Sequence, residues 1–455
     1  MGSLYKYLKN KIKYIKTKEV SRALCAVFAA VFVIGGGFLG VNQFEPDQRV
    51  IDIVTGESED VSLDILVMSA DGEEAGEDEQ GTEDNSSVDI AGSTSPTLTV
   101  NAKAALLMDA VSGEVLFAYN ENDRLPPASV TKVMTMLLVL EAVDSGKISL
   151  SDTVTISERA ASMGGSQMYM EPGEQHTLEE LMKGIAMVSA NDACVAVAEY
   201  VSGSMEIFVE DMNKRASSLG LENTNFVNTN GLPVANHYTS AHDIAVMSRE
   251  LLKHTAGHEW YTTWQDTIKV GLPGKETEFG LTNTNKLIKQ YQGAIGLKTG
   301  FTQDAGYCLS GAAQRDGTTL IAVVLGCQTS DIRLAEISKM LDYGFANYET
   351  ALIAEAGQAV GEVYIEKGNP EKVNAVTEEN ASMLVAKGEK GKITSKAVLW
   401  DNVSVPLSKG DQIGELIIFE EETEIARKPL VAEASVEKAT FTDIYVRILK
   451  RVFEN

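Results

Sequence analysis

The sequence predicts an α/β fold, one antiparallel sheet covered by helices, followed by a small all-β domain. Three features of the 455 residues predict it. β-like runs open and close residues 97–349, helical patterns fill the middle of that segment, and beyond about residue 350 the texture changes to short runs broken by turns. Strands at both ends of a segment with helices between them bring distant stretches of chain into one sheet.

Residues 1–22 form a basic leader, with Lys6, Lys9, Lys11, Lys13, Lys16, Lys18 and Arg22 opposed only by Glu19. Residues 23–41 then carry no charge, a run long enough to cross a hydrocarbon core as a helix. Basic residues before such a span place the N-terminus in the cytoplasm and the rest of the chain outside. The span reads as a transmembrane anchor or a signal peptide; the long basic region and the lack of an Ala-x-Ala site favour the anchor. Residues 42–96 are acidic and poor in aromatics, with Asp71-Gly-Glu-Glu-Ala-Gly-Glu-Asp-Glu near the centre. Such a composition buries too little apolar surface to order itself, so a flexible spacer is expected.

In residues 97–349 a hairpin is expected from runs at 104–109 and 114–119 around Ala-Val-Ser-Gly. Pro126 and Pro127 precede a helix that starts at Ala128 and continues through the apolar run 133–140. Further helices are expected at 177–189, 193–201, 204–219 and 240–254. Strands follow at 294–297, 306–314 and 318–326, the last two joined by Arg315-Asp316-Gly317, and a closing helix spans 332–348. Residues 350–434 read as the β-rich domain. Residues 435–455 place Phe441, Ile444, Tyr445, Ile448, Leu449, Val452 and Phe453 on one helical face, with Arg447, Lys450 and Arg451 off it. A basic amphipathic helix of this kind lies in a membrane interface; docking on its own domain is the alternative.

The 44% apolar content supports real cores, and the formal net charge of -26 excludes nonspecific nucleic-acid binding by the whole molecule. Cys25 lies in the apolar run. Cys194, Cys308 and Cys327 have no metal-ligand spacing and imply no disulfide framework, although one pair among the three stays open. His254 and His258, four apart on an expected helix, lack a third ligand and read as surface histidines rather than a zinc pair. No metal or cofactor is expected.

Chemistry enters at Ser129 and Lys132, which an expected helix places on one face, one turn apart. A serine hydroxyl needs a neighbouring base, and a lysine serves only when burial or another cation leaves its amine neutral. Ser-x-x-Lys alone is common. Two further motifs make it specific: Ser189-Ala-Asn191, ending an expected helix, and Lys298-Thr299-Gly300, ending an expected strand. Their order is that of the serine penicillin-binding proteins and β-lactamases.

Through these motifs, and through Gly165-Ser-Gln-Met-Tyr-Met-Glu-Pro-Gly, Ser189-Ala-Asn-Asp-Ala-Cys, Asn230-Gly-Leu-Pro and Gly296-Leu-Lys-Thr-Gly-Phe-Thr-Gln-Asp-Ala-Gly-Tyr, the chain resembles the D-alanyl-D-alanine carboxypeptidases of the low-molecular-mass penicillin-binding protein type. The resemblance implies a β-lactamase/transpeptidase-like domain, a β-rich second domain and a C-terminal amphipathic anchor. It also implies that Ser129 attacks the penultimate D-alanine of a peptidoglycan stem peptide and releases the terminal one. Lys132 would take the serine proton, with Lys298 as the second cation. Ser189 would relay a proton to the leaving amine, and Asn191 would hold Lys132 or the substrate amide. Lys298 and Thr299 would face the terminal carboxylate, Gly300 would let substrate backbone approach the strand, and backbone N–H groups of Ser129 and Phe301 would form the oxyanion hole. Arg333 would assist carboxylate binding. β-Lactams would acylate Ser129, and the enzyme would work outside the bacterial cytoplasmic membrane, held there by the N-terminal span, the C-terminal helix or both. The long leader and acidic spacer depart from the family pattern.

Rival readings are a D,D-endopeptidase, a β-lactamase and a noncatalytic wall scaffold. The β-lactamase needs a deacylating Glu; Glu171 is present but the Glu-x-x-x-Asn pattern is not.

Overall fold

The structure, a computed structural model, describes residues 48–53 and 98–453. The basic leader, the apolar run and most of the acidic spacer, with the span and signal-peptide expectations that fall on them, lie outside the described residues. Among the described residues no helix is long and apolar enough to cross a membrane.

The main sheet has five antiparallel strands: β1 (Ala104–Asp109), β2 (Val115–Tyr119), β3 (Ala294–Thr302), β4 (Gly306–Arg315) and β5 (Thr318–Cys327), in the order β2-β1-β5-β4-β3. The two ends of the domain meet where β5 pairs with β1, from Leu320 opposite Asp109 to Leu325 opposite Ala104. All six residues of β1 are buried because helices cover both faces. Alternation sorts the sides. Leu106, Met108, Ile321 and Val323 face one core, and Ala105, Leu107, Leu320 and Ala322 face the other.

The helices of six or more residues in this part of the chain are α1 (Lys132–Asp144), α2 (Leu178–Lys183), α3 (Asn191–Ser202), α4 (Met205–Ser218), α5 (Ala241–Leu252) and α6 (Ser330–Asn347). Hydroxyl caps start four of them. The side chains of Thr177, Ser204, Ser240 and Thr329 each accept a backbone N–H three residues on, and Thr177 with Glu180 forms a full capping box. α1 and α5 pack in the first core, and α6 covers the second through Ile337, Met340, Leu341 and Phe345. α1 is apolar almost all round and correspondingly buried almost all round, which takes Lys132 inside with it.

Several elements differ from expectation. The helix expected from Ala128 opens as a 3-10 turn, Ala128–Thr131, and becomes α-helical only at Lys132. The helix expected over 177–189 is α2 followed by a wider π-turn, Gly184–Val188, that ends on Ser189 in the left-handed region. The helix expected to reach His254 stops at Leu252, so His254 and His258 fall on separate elements, and His254 meets Asp144 at 2.6 Å. A hairpin of Gln265–Val270 and Thr277–Thr282 was not expected; only Ile268 and Leu281 of it are buried, too few to mark the sequence. The strand expected over 294–297 runs on to Thr302, placing Lys298 mid-strand.

The β-rich part follows α6 directly. Tyr348–Ala354 pairs with Ala381–Ala386, and the remaining main strands form a six-stranded sheet around Ile365, Leu399, Ile413, Leu416 and Leu430. One edge strand is Gln48–Ile53, paired antiparallel with Ile393–Trp400. Six residues of the expected spacer are therefore β-structure: Val50, Ile51 and Ile53 suit a strand, and the edge of 393–400 gives their backbone partners. α7 (Phe441–Phe453) closes the described chain. Its Phe441, Ile444, Tyr445, Ile448, Leu449, Val452 and Phe453 are all exposed, while Arg447 on the other side donates to the Gly368 carbonyl at 2.7 Å and pairs with Glu371 at 3.5 Å. Cys194, Cys308 and Cys327 are buried free thiols, so the disulfide left open among them does not form.

Candidate active site

The site begins at the tight turn after Pro127. Ala128 has φ 49°, and the 3-10 turn sets Ser129 and Lys132 in register three residues apart. Lys132 Nζ lies 2.9 Å from Ser129 Oγ. The lysine is fully buried, and burial pushes its amine down to about 8. Two more oxygens surround the same nitrogen: Asn191 Oδ1 at 2.8 Å and the Asn230 carbonyl at 2.7 Å.

Ser189 and Asn191 are placed by the π-turn. Its extra width turns Ser189 to φ 63°, and the buried Ser189 hydroxyl has no hydrogen-bond partner. Asn191 opens α3 and is held from both sides: its Nδ2 donates to the Gly164 carbonyl and its N–H to the Ser166 carbonyl, each at 2.7 Å. The next residue, Asp192, accepts the Met168 N–H through both carboxylate oxygens at 3.0 and 3.1 Å. Loop 164–170 is thus tied to the helix that aims Asn191. Gly165 at φ +83° is required here, because a Cβ would lie 2.8 Å from Asn191 Nδ2. Glu171, the candidate deacylating acid of the β-lactamase reading, is exposed.

β3 supplies the third side. Lys298 is fully buried and its pKa is driven well below the ordinary value, first by burial and then by the charge of Lys132. The coupled pair therefore sheds protons more readily than exposed lysines do. Lys298 Nζ donates to the Thr299 carbonyl at 3.1 Å, and the Thr299 hydroxyl shares a hydrogen bond with Thr284 at 2.7 Å. Above Gly300 the space is taken by the turn that carries Ser129, since a Cβ there would lie 2.8 Å from the Pro127 carbonyl oxygen and 3.1 Å from the Ser129 nitrogen. The glycine lets the turn, rather than only substrate, approach the strand. Phe301 is 51% exposed, its ring 4.3 Å from that of Tyr307. Arg333 is buried, donating to the Gly300 and Cys308 carbonyls at 3.4 and 3.3 Å, which ties α6 to β3 and β4.

Ser129, Lys132 and Asn191 thus meet directly, Gly300 packs on the serine turn, and Arg333 bonds the Gly300 carbonyl. Sequence reading missed Asn230 as a partner of Lys132, although the Asn228-Thr-Asn-Gly-Leu-Pro loop was visible. Gly231 in that loop has φ +84°, and a Cβ on it would fall 1.8 Å from the Ala128 carbonyl oxygen. A cavity of about 390 Å³ opens beside the turn, lined by Pro127, Ala128, Pro233, His237, Thr302 and Asp304 among others.

Residues 90–329 match the family model described as D-alanyl-D-alanine carboxypeptidase. The chain belongs to this family. Residues 348–438 match the model of the penicillin-binding protein 5 C-terminal domain. The D-alanyl-D-alanine carboxypeptidase DacF of Bacillus subtilis is 44% identical over 361 residues, 79% of this chain and 91% of that protein. DacC of Escherichia coli is 33% identical over 75% of this chain and 86% of its own. Among solved structures, penicillin-binding protein 5 of Haemophilus influenzae superposes with a TM-score of 0.62 at 34% identity, covering 76% of this chain and all of that one. Membership of the carboxypeptidase family agrees with a transpeptidase-like α/β domain followed by a β-rich one.

Proposed function

We propose that this protein is a serine-type D-alanyl-D-alanine carboxypeptidase that removes the terminal D-alanine of peptidoglycan stem peptides. The observation that carries the reading is the environment of Lys132 Nζ. A neutral amine has two N–H bonds and one lone pair. The Asn191 Oδ1 and Asn230 carbonyl oxygens are pure acceptors and take the two N–H bonds, leaving the lone pair for the Ser129 hydroxyl proton at 2.9 Å.

In the reaction, Ser129 Oγ bonds to the carbonyl carbon of the penultimate D-alanine as its proton passes to Lys132. The carbonyl oxygen becomes an oxyanion facing the N–H groups of Ser129 and Phe301. The unpartnered Ser189 hydroxyl relays the proton taken by Lys132 to the leaving nitrogen, which leaves Lys132 neutral again as the C–N bond breaks and D-alanine departs. Lys298 and Thr299 hold the terminal carboxylate, and Arg333 supports that strand by bonding the Gly300 carbonyl. Water then attacks the ester with Lys132 as base and restores Ser129. No cofactor enters these steps. A β-lactam acylates the same hydroxyl by ring opening.

Peptidoglycan as substrate places the active site outside the cytoplasmic membrane. The exposed apolar face of α7, backed by the Arg447 contact to its own domain, supports attachment to that membrane's outer surface. The test is intact-mass spectrometry of the full-length protein after penicillin, beside Ser129→Ala, with D-alanine release from a defined monomeric muropeptide. A single Ser129-dependent adduct with release is expected. An adduct without release would replace this reading by cross-link cleavage or transpeptidation, and no adduct would return the scaffold reading.

A further inference from the structure

His237 belongs to none of the three motifs, yet it is buried against the nucleophile turn. Its Nδ1 accepts the Val227 N–H at 3.0 Å. A neutral imidazole with an accepting Nδ1 carries its proton on Nε2, and Nε2 lies 2.8 Å from Thr131 Oγ1. The Thr131 hydroxyl accepts that N–H, so its own proton goes to the Ala128 carbonyl, 2.9 Å away. Burial keeps the ring neutral, pushing its pKa down to about 4.

The Ala128 carbonyl belongs to the same peptide unit as the Ser129 N–H. A trans peptide is planar, with C=O and N–H pointing in opposite directions, so whatever holds the carbonyl sets where the N–H points. That peptide follows a non-glycine residue at φ 49°, a backbone state that needs support from its surroundings. The support comes from one loop. Gly231 closes over the Ala128 oxygen, and Leu125 and Thr239 exchange both backbone hydrogen bonds at 2.8 and 3.0 Å, tying the chain before the turn to the chain just after His237.

We propose that His237 and Thr131 are positioning residues for acylation: the relay from His237 Nε2–H through the Thr131 hydroxyl to the Ala128 carbonyl fixes the plane of the Ala128–Ser129 peptide, and with it the aim of the Ser129 N–H at the oxyanion. This rests on the acyl-enzyme reading above. The plain alternative is that Thr131 bonds back to its own turn, as helical threonines do, and that His237 only fills space.

Saturation kinetics of Ser129 acylation by a fluorescent penicillin, in the full-length protein, distinguish the two. Thr131→Val keeps the shape and removes the hydroxyl. His237→Asn retains an acceptor where Nδ1 stands but cannot reach Thr131, whereas His237→Gln can reach it with an amide N–H. Loss of one oxyanion donor costs about a hundred- to a thousandfold, and a misaimed donor a part of that. Thr131→Val and His237→Asn should therefore each lower the limiting acylation rate about ten- to a hundredfold with the half-saturating concentration unchanged. The double variant should be no slower than the slower single, and His237→Gln should recover most of the rate. Wild-type acylation rates in Thr131→Val overturn the proposal, as do effects confined to half-saturation, losses that multiply in the double variant, or failure of the Gln rescue. Should His237→Asn not fold, by its melting curve, Thr131→Val and His237→Gln decide. Absence of acylation in the unmodified protein would instead overturn the acyl-enzyme reading itself.

Discussion

If Lys132 is the base, acylation must follow its protonation. An ordinary lysine titrates near 10.5, and burial brings this one to about 8. At pH 7 the neutral fraction rises from about 0.03% to about 9%, a gain of about 300-fold from burial inside α1. The sign is that of a base: the rate constant for Ser129 acylation should climb about tenfold per pH unit below 8 and level off above it. Between pH 6 and pH 9 the neutral fraction moves from about 1% to about 90%, so the rate should rise about 90-fold. The assay is acylation by a fluorescent penicillin at fixed low concentration across that range, with the melting temperature followed in parallel. Lys298→Met leaves one titrating amine of the pair. Because desolvation is the first cause of the Lys132 shift, the limb should stay near 8 in that variant even as carboxylate binding weakens. A flat profile, or a limb near 10, would refute Lys132 as a buried base. A limb that moved to 10 only in Lys298→Met would show that the second charge, rather than burial, depresses it.

Other consequences follow from single contacts. Gly300→Ala puts a Cβ against the Pro127 carbonyl and the Ser129 nitrogen, so acylation should fall at least tenfold while the melting temperature changes by only a few degrees; an unaltered rate would mean the turn is free to move. His237 titrates near 6.5 when unfolded and near 4 when folded. The unfolded chain binds the proton first, so stability is full above about 6.5 and is lost as pH falls toward 4, by about 3 kcal/mol for this group. Denaturant melts of His237→Gln should show that much less loss over the same window. Deleting 441–455 removes α7; the protein freed of its N-terminal leader should then stop floating with anionic vesicles while keeping its rate on a soluble D-Ala-D-Ala peptide.

What the sequence made legible divides along physical lines. Ser129, Lys132, Ser189, Asn191 and Lys298 could be nominated from the sequence because the chemistry expected of them belongs to their side chains, and side-chain type is what a sequence writes down. Asn230 was not, because it offers Lys132 a backbone carbonyl, and a carbonyl has no letter of its own. The sheet was legible from the apolar runs of β1, β4 and β5, whose buried residues serve two cores. The 265–282 hairpin and the strand at 48–53 were missed for the opposite reason. The first buries two residues only, and the second is read as part of an acidic stretch until the edge of 393–400 gives it a partner. The finest features of the site, the π-turn that rotates Ser189 and the left-handed Ala128 before Ser129, run against local preference. Neither residue is a glycine, so nothing at those positions announces a positive φ. Both conformations are imposed from elsewhere, by the loop that closes on Ala128 and by the α3 start that fixes Asn191, and they become readable only when those distant segments are in place.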